Sequence, residues 1–357
     1  MQRWEEFERS IEQSDSAERL RELRGDIHAA FEAFPAALLD GRAVEMQNRL
    51  HDAVIRKTLR LTEERVRASH SGAPPVSSFA FLLFGSGGRK EQTLWSDQDN
   101  GLIYAAADGA DADEAARYAA ALGEAFRAAL EAVAYPPCEG NVLSSNPMWR
   151  QSTAEWRETL QGWFERAEFE SVRYLLIVAD ARAVYGDGSL AEALHDDYFA
   201  FAAARRGIMP RMLQNTLRHK VLLGLLGNLI TEPYGEDAGG IDVKYGAYLP
   251  MVNAIRLLSV AAQVRETSTL ARIRILPGKL GVTAAMASDW EEAFRVVLKL
   301  RAMTPFQFEG GVYSTRGILS AKQLTKDVKR EIKLALRVGA ELQRLVRRKF
   351  GTEDYRI

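Results

Sequence analysis

The stretch FAFLLFGSGGRKEQTLWSDQDNGLIY, Phe79 to Tyr104, sets two short apolar runs on either side of a polar loop. The first run, Phe79 to Phe84, is too short for a stable helix and is closed by Gly85, which reads as a buried strand. Glycines at 85, 87 and 88 open backbone conformations closed to other residues and let main-chain N–H groups approach a ligand with no side chain in the way. Ser86 adds a hydroxyl donor, and Arg89 a planar guanidinium that matches phosphate oxygens. The second run, Asn100 to Ala105, reads as the partner strand, with Asp97 and Asp99 just before it. In extended chain an i, i+2 spacing puts both carboxylates on one side. Two hard oxygen ligands a short distance apart are what Mg²⁺ takes.

Two commoner phosphate loops fail on spacing. A dinucleotide fingerprint starting at Gly85 needs glycine where Lys90 stands, and a Walker loop needs Gly-Lys-Ser/Thr where Lys90, Glu91 and Gln92 stand. A glycine cluster alone usually marks a plain turn; its coupling to Asp-x-Asp on the next strand sets this one apart.

With G-S-x-x-R followed by S-D-x-D and an apolar strand, the segment resembles the nucleotidyltransferase superfamily of polymerase-beta type. The longer form GSGGRKEQTLWSDQDNGLIY is similar to the branch containing the bacterial PII-protein uridylyltransferases. Within that branch it looks most like proteins whose second half is a nucleotidyltransferase substrate-binding domain, and the likeness runs from about Met46 on. The resemblance implies that Gly85 and Ser86 hold a nucleoside triphosphate. It makes Lys90 a further nucleotide contact and Arg89 a phosphate or loop-ordering contact. Asp97 and Asp99 ligate Mg²⁺, with a two-metal site possible. The implied activity is Mg²⁺-dependent transfer of UMP or AMP to a hydroxyl of a protein or small-molecule acceptor, uridylyl transfer to a PII-type regulatory protein first and adenylyl transfer close behind. The alternative is a nucleotide-binding regulatory module that has lost the chemistry. Such sites usually take a third carboxylate from a later strand: Glu139 is the nearest candidate, unless it is a solvent-facing loop residue, and Asp180 the second.

Composition bounds the rest. At 357 residues the chain suffices for two or three domains. Lys plus Arg at 47 against Asp plus Glu at 48 gives a formal charge of −1, so nothing global argues for a nucleic-acid or membrane partner. No run approaches a membrane span and the acidic MQRWEEFERS is no signal peptide, which makes the cytoplasm the expected compartment. Cys138, the single cysteine, excludes an internal disulfide and a cysteine-cluster metal site, and the five histidines lack zinc spacing.

The expected fold is α+β: N-terminal helices over 1–45, a small mixed-sheet nucleotidyltransferase-like domain over 46–190, and a helical substrate-binding domain over 191–357. Trp4, Phe7 and Ile11, then Met46, Leu50, Val54 and Leu61, recur at helical spacing. His51-Asp52 reads as an ordinary helix-surface pair, because the further ligands of a metal-dependent phosphohydrolase do not follow. Residues 70–78 read as a loop. Asp111 to Ala134 forms one helix stopped by Pro136 and Pro137. CEGNVLSSNPMW forms a third strand or its approach, and Ser152 to Glu155 is a capping box. Glu168 to Tyr185 reads as a helix whose Asp180 and Arg182 must be paired or functional: either Asp180 sits in an internal pair with an arginine or it is the missing ligand.

Beyond Leu190 the pattern is helical almost throughout. Gly224 and Gly227 suggest close helix–helix approach, and 235–240 forms a loop. The segment GIDVKYGAYLPMVNAIRLL resembles a motif of the substrate-binding domain. That likeness turns Asp242, Lys244 and Arg256 toward a cleft opposite the metal site; the other reading is a buried ion-pair network. The last helix, Thr325 to Phe350, carries a clean apolar stripe closed by Gly351 and a Lys/Arg-rich face, which is solvated or meets an acidic partner or nucleic acid.

Overall fold

The computed structural model describes residues 2–33, 41–224, 227–305, 307–309 and 312–351; residues 34–40, within the expected N-terminal helices, lie outside them. The contacts divide the chain into two compact units, Met1–Leu38 with Arg42–Leu160 and Asp180–Asp197, and Leu39–Gly41 with Gln161–Ala179 and Tyr198–Ile357.

The chain begins with α1 (Gln2–Gln13), α2 (Ala17–Glu32) and α3 (Gly41–Ser69). Trp4 stacks on Phe31 with centroids 4.5 Å apart, and Leu20, Leu23, Ile27, Leu50, Val54 and Leu59 are buried, so these helices pack through the stripes their spacing forecasts. β1 (Val76–Leu83), the one-turn helix α4 (Gly85–Gly88), β2 (Asn100–Ala106) and α5 (Ala112–Ala132) follow. Every residue from Phe79 to Leu83 is buried, an unbroken run rather than an alternation, because both faces of β1 are covered. Phe126 of α5 lies on one of them, edge-on to Phe81 at 5.5 Å. Asp111 caps α5 by accepting from the Glu114 N–H at 2.9 Å.

Among the described residues the sheet has four strands in the order β3-β2-β1-β4, with β3 at Arg150–Ser152 and β4 at Arg182–Gly186. β1 runs antiparallel to both neighbours, and β2 runs parallel to β3, so the sheet is mixed as expected. The third strand follows CEGNVLSSNPMW rather than occupying it. That segment is turns, held where Ser144 N–H donates to Asn100 Oδ1 at 2.7 Å. The capping box forms reciprocally: Ser152 N–H donates to Glu155 Oε2 at 2.7 Å and Glu155 N–H to Ser152 Oγ at 3.3 Å. It opens α6 (Thr153–Arg166), and α7 (Phe169–Val178) comes next.

The expected helix over Glu168–Tyr185 is corrected at this point. It stops at Val178, and β4 (Arg182–Gly186) pairs antiparallel with β1, Leu83 opposite Arg182 and Phe81 opposite Tyr185. The open edge of β1 outweighs local helix propensity. Gly186, at φ 85°, ends the strand where a Cβ would meet the Phe79 carbonyl oxygen at 2.2 Å.

After α8 (Gly188–Ala204) and α9 (Ile208–Thr216) come β5 (Ile241–Asp242), a π-helical turn at Lys244–Tyr248 and α10 (Leu249–Ala261). α11 (Thr269–Ile275), α12 (Ala284–Ala302), β6 (Gln307–Glu309), β7 (Val312–Ser314), β8 (Ile318–Leu319) and α13 (Lys326–Phe350) complete the second unit. Among its described residues the regular structure is helical apart from two short antiparallel strand pairs, β5 with β8 and β6 with β7. α10 is apolar nearly all round and is its core, with α13 laid on it where Gly339 meets Met251. Thr325 caps the start of α13, and Gly351 closes it as the sequence forecasts. The Gly224 and Gly227 expectation is corrected. Gly227 has φ 74° and closes a tight turn, its N–H on the Gly224 carbonyl at 2.9 Å, so the glycines serve a loop and not a helix crossing; residues 225 and 226 lie outside the described set. Among the described residues no helix is long and apolar enough to cross a membrane.

Gly123, in mid-α5, tests the packing. Alanine there favours a helix by about 1 kcal/mol, but its Cβ would sit 2.3 Å from the Ser144 carbonyl oxygen. The clash wins, since overpacking costs about 1–3 kcal/mol: Gly123→Ala lowers the urea midpoint, and an unchanged or raised midpoint contradicts this packing.

Candidate active site

The last rung of the β1–β2 ladder pairs Leu83 with Asn100, and beyond it Phe84 N–H donates to the Asp99 carbonyl at 2.9 Å. The end of one strand and the approach to the next therefore meet. The chain turns at Gly85 with φ 51°, and a Cβ on Gly85 would stand 2.5 Å from Asp99 Oδ2, so any side chain there would strike the carboxylate. Ser86, Gly87, Gln92, Asp97 and Asp99 line one small pocket at this corner. Gln98 and Asn100, buried at 3% and 0% exposure, alternate with the acids. Gln98 Nε2 donates to the Tyr135 carbonyl at 2.7 Å and Asn100 Nδ2 to Gln98 Oε1 at 3.2 Å. With these two amides turned into the core, Asp97 and Asp99 face the other way, as i, i+2 spacing in extended chain requires.

The donor set suits a hard divalent cation: two carboxylates beside the Ser86 hydroxyl, and Gln92 Oε1, a buried acceptor without a hydrogen-bond partner among the described residues, in the same pocket. Among the described residues no third His, Cys, Asp or Glu completes a metal cluster. Glu139 lies in an exposed turn. Asp180 is fully buried, and its Oδ2 accepts from Arg89 Nη1 at 2.6 Å. Arg89, 4% exposed, also donates from Nε to Glu91 Oε2 at 2.9 Å, which makes it a loop-ordering group. Lys90 is exposed at φ 58°. Cys138 stands by the acids with no signal in the sequence to announce it. Burial, and then the Asp99 carboxylate, pushes its thiol up to about 12.

The loop after Arg89 is held by side chains of α2 and α3, which sequence reasoning missed. The Gln92 carbonyl accepts from Gln47 Nε2 at 3.0 Å, the Thr93 carbonyl from His51 Nε2 at 3.0 Å, and the Leu94 carbonyl from Arg24 Nη2 at 3.4 Å. Asn48 Oδ1 accepts from the Gln92 N–H at 2.7 Å. Three consecutive carbonyls of a buried loop are thereby satisfied, as a segment lacking a ladder requires. The expectation that His51-Asp52 is a surface pair is corrected: His51 is 4% and Asp52 8% exposed. Since a carbonyl can only accept, His51 carries its proton on Nε2, and Nδ1 accepts from the Tyr135 hydroxyl at 2.8 Å. Arg24 lies over the Tyr135 ring at 3.6 Å, and burial lowers its guanidinium to about 10, still charged at neutral pH. Burial, then the Arg24 charge, holds His51 down to about 3.

In the second unit the three other expected residues make local contacts. Asp242 Oδ1 accepts from the Tyr245 N–H at 2.7 Å, and burial raises its carboxyl above the usual range. The Lys244 ammonium lies 5.3 Å from the Tyr245 ring centroid, and Arg256, 6% exposed, donates to Asn253 Oδ1 at 2.8 Å.

Two family profiles match the chain. Residues 37–170 match "Putative nucleotidyltransferase DUF294", and residues 206–350 match "Putative nucleotidyltransferase substrate binding domain". Among curated proteins the chain is similar to enzymes named bifunctional glutamine synthetase adenylyltransferase/adenylyl-removing enzyme. That of Xanthomonas campestris pv. campestris (strain B100) is 28% identical over 262 residues, 67% of this chain and 26% of the relative. That of Xanthomonas oryzae pv. oryzae (strain MAFF 311018) is 30% identical over 277 residues, 70% of this chain and 27% of the relative. The chain thus spans about a quarter of the length of these relatives.

His51 generates a pH test. Its folded pKa, about 3, lies below the ordinary value of about 6.5. The unfolded chain therefore binds the proton first, and the stability His51 contributes is complete above about pH 6.5 and drains as pH falls toward the folded value. In urea denaturation from pH 7.5 to 4.5, His51→Gln should flatten the decline by up to about 1.4 kcal/mol per pH unit. An identical slope in the variant would show that His51 is not buried neutral.

Proposed function

Since the chain belongs to the putative nucleotidyltransferase family, with that family's substrate-binding domain in its second half, we propose that it moves a nucleoside monophosphate from a nucleoside triphosphate to a hydroxyl, with pyrophosphate leaving. The observation that carries this reading is the contact of Gly85 with Asp99, where a Cβ would stand 2.5 Å from the carboxylate. The glycine loop and the paired acids thus serve one spot. Asp97 and Asp99 would hold Mg²⁺, which when bound offsets charge on the phosphates and the leaving group. Ser86 and the open backbone at Gly85 and Gly87 bind and orient the triphosphate, and Gln98 and Asn100 keep both acids turned to it. On this reading the catalytic contribution of the chain is placement and electrostatics.

Adenylyl transfer is favoured over the uridylyl transfer that the sequence resemblance put first, because the curated relatives are named adenylyltransferases. The proposed acceptor is a protein hydroxyl; a PII-type regulatory protein and glutamine synthetase are the two arms to try. A second reading, nucleotide binding without turnover, draws on one observation: Glu139 lies in an exposed turn and Asp180 is bound to Arg89, so neither expected third acid joins Asp97 and Asp99.

The double variant Asp97→Asn, Asp99→Asn keeps shape and removes charge. Calorimetry should find ATP binding by the unmutated chain strengthened at least about tenfold by Mg²⁺. The double variant should lose that dependence and keep its urea midpoint. Equal Mg²⁺-dependent affinity in both proteins would sink the metal assignment. Pyrophosphate release with ATP, UTP, GTP or CTP and either acceptor separates enzyme from binder.

A further inference from the structure

The glycine loop is gripped from one side by three contacts from two residues, Asp180 just before β4 and Arg182 at its start. Gly88 lies so close to Asp180 that a Cβ would meet its carbonyl oxygen at 1.9 Å. Asp180 takes Arg89, as described above. The third grip is Arg182. Its Nη1 and Nη2 donate to the two carboxylate oxygens of Asp52 on α3 at 2.9 and 2.8 Å, and Nη2 donates also to the Gly87 carbonyl at 2.8 Å. That carbonyl also accepts from the Lys90 N–H at 3.2 Å.

We infer that Arg182 is a positioning residue for the glycine loop: Asp52 locks its guanidinium in one plane, and the guanidinium fixes the Gly87 carbonyl, and with it the peptide planes on either side of Gly87 in the segment that carries Ser86. The inference rests on the proposed triphosphate site for its consequence but not for its geometry. Three of the five N–H groups of Arg182 serve this brace, one from Nη1 and both from Nη2, with Asp52 taking one bond from each terminal nitrogen. Arginine is required because the brace takes three bonds from two nitrogens of a flat fork. An ammonium is a compact point donor on a flexible stem and cannot hold both Asp52 oxygens and the Gly87 carbonyl in one plane. Asp52 is the other half of the device. Its two oxygens set the angle of the fork, and α3, which carries it, also supplies the Gln47, Asn48 and His51 contacts to the far end of the loop.

The test is hydrogen exchange on the full chain without nucleotide, followed by calorimetry with ATP and Mg²⁺. Arg182→Lys keeps a positive charge opposite Asp52. The amides of Ser86 to Glu91 should exchange at least about tenfold faster, while those of β1 and β2 keep their protection. ATP affinity should fall about tenfold, with Mn²⁺ binding to the nucleotide-free chain, read by electron paramagnetic resonance, unchanged. Asp52→Asn should loosen the same amides, because it removes the charge and one acceptor while leaving Arg182 in place. Loop amides as slow as in the unmutated chain, in either variant with β1 and β2 still protected, overturn the inference. So does acceleration spread evenly over the sheet, which marks Arg182 as a general stabiliser. If the loop loosens as stated but the unmutated chain binds no nucleoside triphosphate, the brace stands and the nucleotidyltransferase reading fails.

Discussion

The pairing of Leu83 with Asn100 is the constraint from which the first unit follows. Antiparallel pairing returns the chain to the place it left, so the loop between the strands starts and ends at the same corner, with Gly85 against Asp99. A loop that closes on itself under cover of neighbouring elements has no ladder for its own peptide groups, and each one left unpaired costs about 1–3 kcal/mol. Side chains from α2, α3 and the approach to β4 answer that demand. The polar groups buried behind the sheet are therefore consequences of where the acids stand.

Charge is an expensive way to hold a loop. Replacing a buried ion pair by well-packed apolar groups is often neutral or stabilising, so Arg89 with Asp180 and Arg182 with Asp52 are poorly explained as sources of stability. They supply direction instead: a guanidinium fixes a carbonyl at a set angle, and an apolar contact does not. Arg24 shows the same preference in a harsher form. Fully buried, it remains a cation held by the Val133 and Leu94 carbonyls and the Tyr135 ring, a desolvated cation–π contact worth about 2 kcal/mol. It lies upstream of residue 37, where the family match begins, so the site draws on a helix before the matched region.

What the sequence disclosed is what short-range patterns encode. β1 and β2, the turn at Gly85, the shared side of Asp97 and Asp99, the capping box at Ser152–Glu155, and α5 and α13 with its close at Gly351 all rest on neighbours within a few residues. The misreadings lie where a distant partner decides. Arg182 to Gly186 carries no local mark against helix, and its strand partner is β1, about a hundred residues earlier. His51 and Asp52 look like surface groups until Thr93, Tyr135 and Arg182 close over them. Gly224 and Gly227 fit a helix crossing as well as a turn until the positive φ at Gly227 decides. Asp180 takes one of its two expected roles, an internal pair with an arginine, and that arginine is Arg89, which the resemblance makes a phosphate or loop-ordering contact.

That exchange of roles bears on how many acids the chemistry needs. A carboxylate 2.6 Å from a guanidinium in a buried pair is not available to a metal without abandoning the arginine, and breaking such a pair costs about 3–5 kcal/mol. Two acids remain. Mg²⁺ keeps several waters and is commonly bound through one or two carboxylates plus the phosphates of its nucleotide, so on the proposed function Asp97 and Asp99 would suffice for holding a metal–triphosphate complex. What they do not supply is alignment of an attacking hydroxyl, which is a matter of position more than of charge. On the proposed function, the division of labour puts nucleotide capture in the corner of Gly85 and Asp99, while the power to react would depend on whatever orients the acceptor.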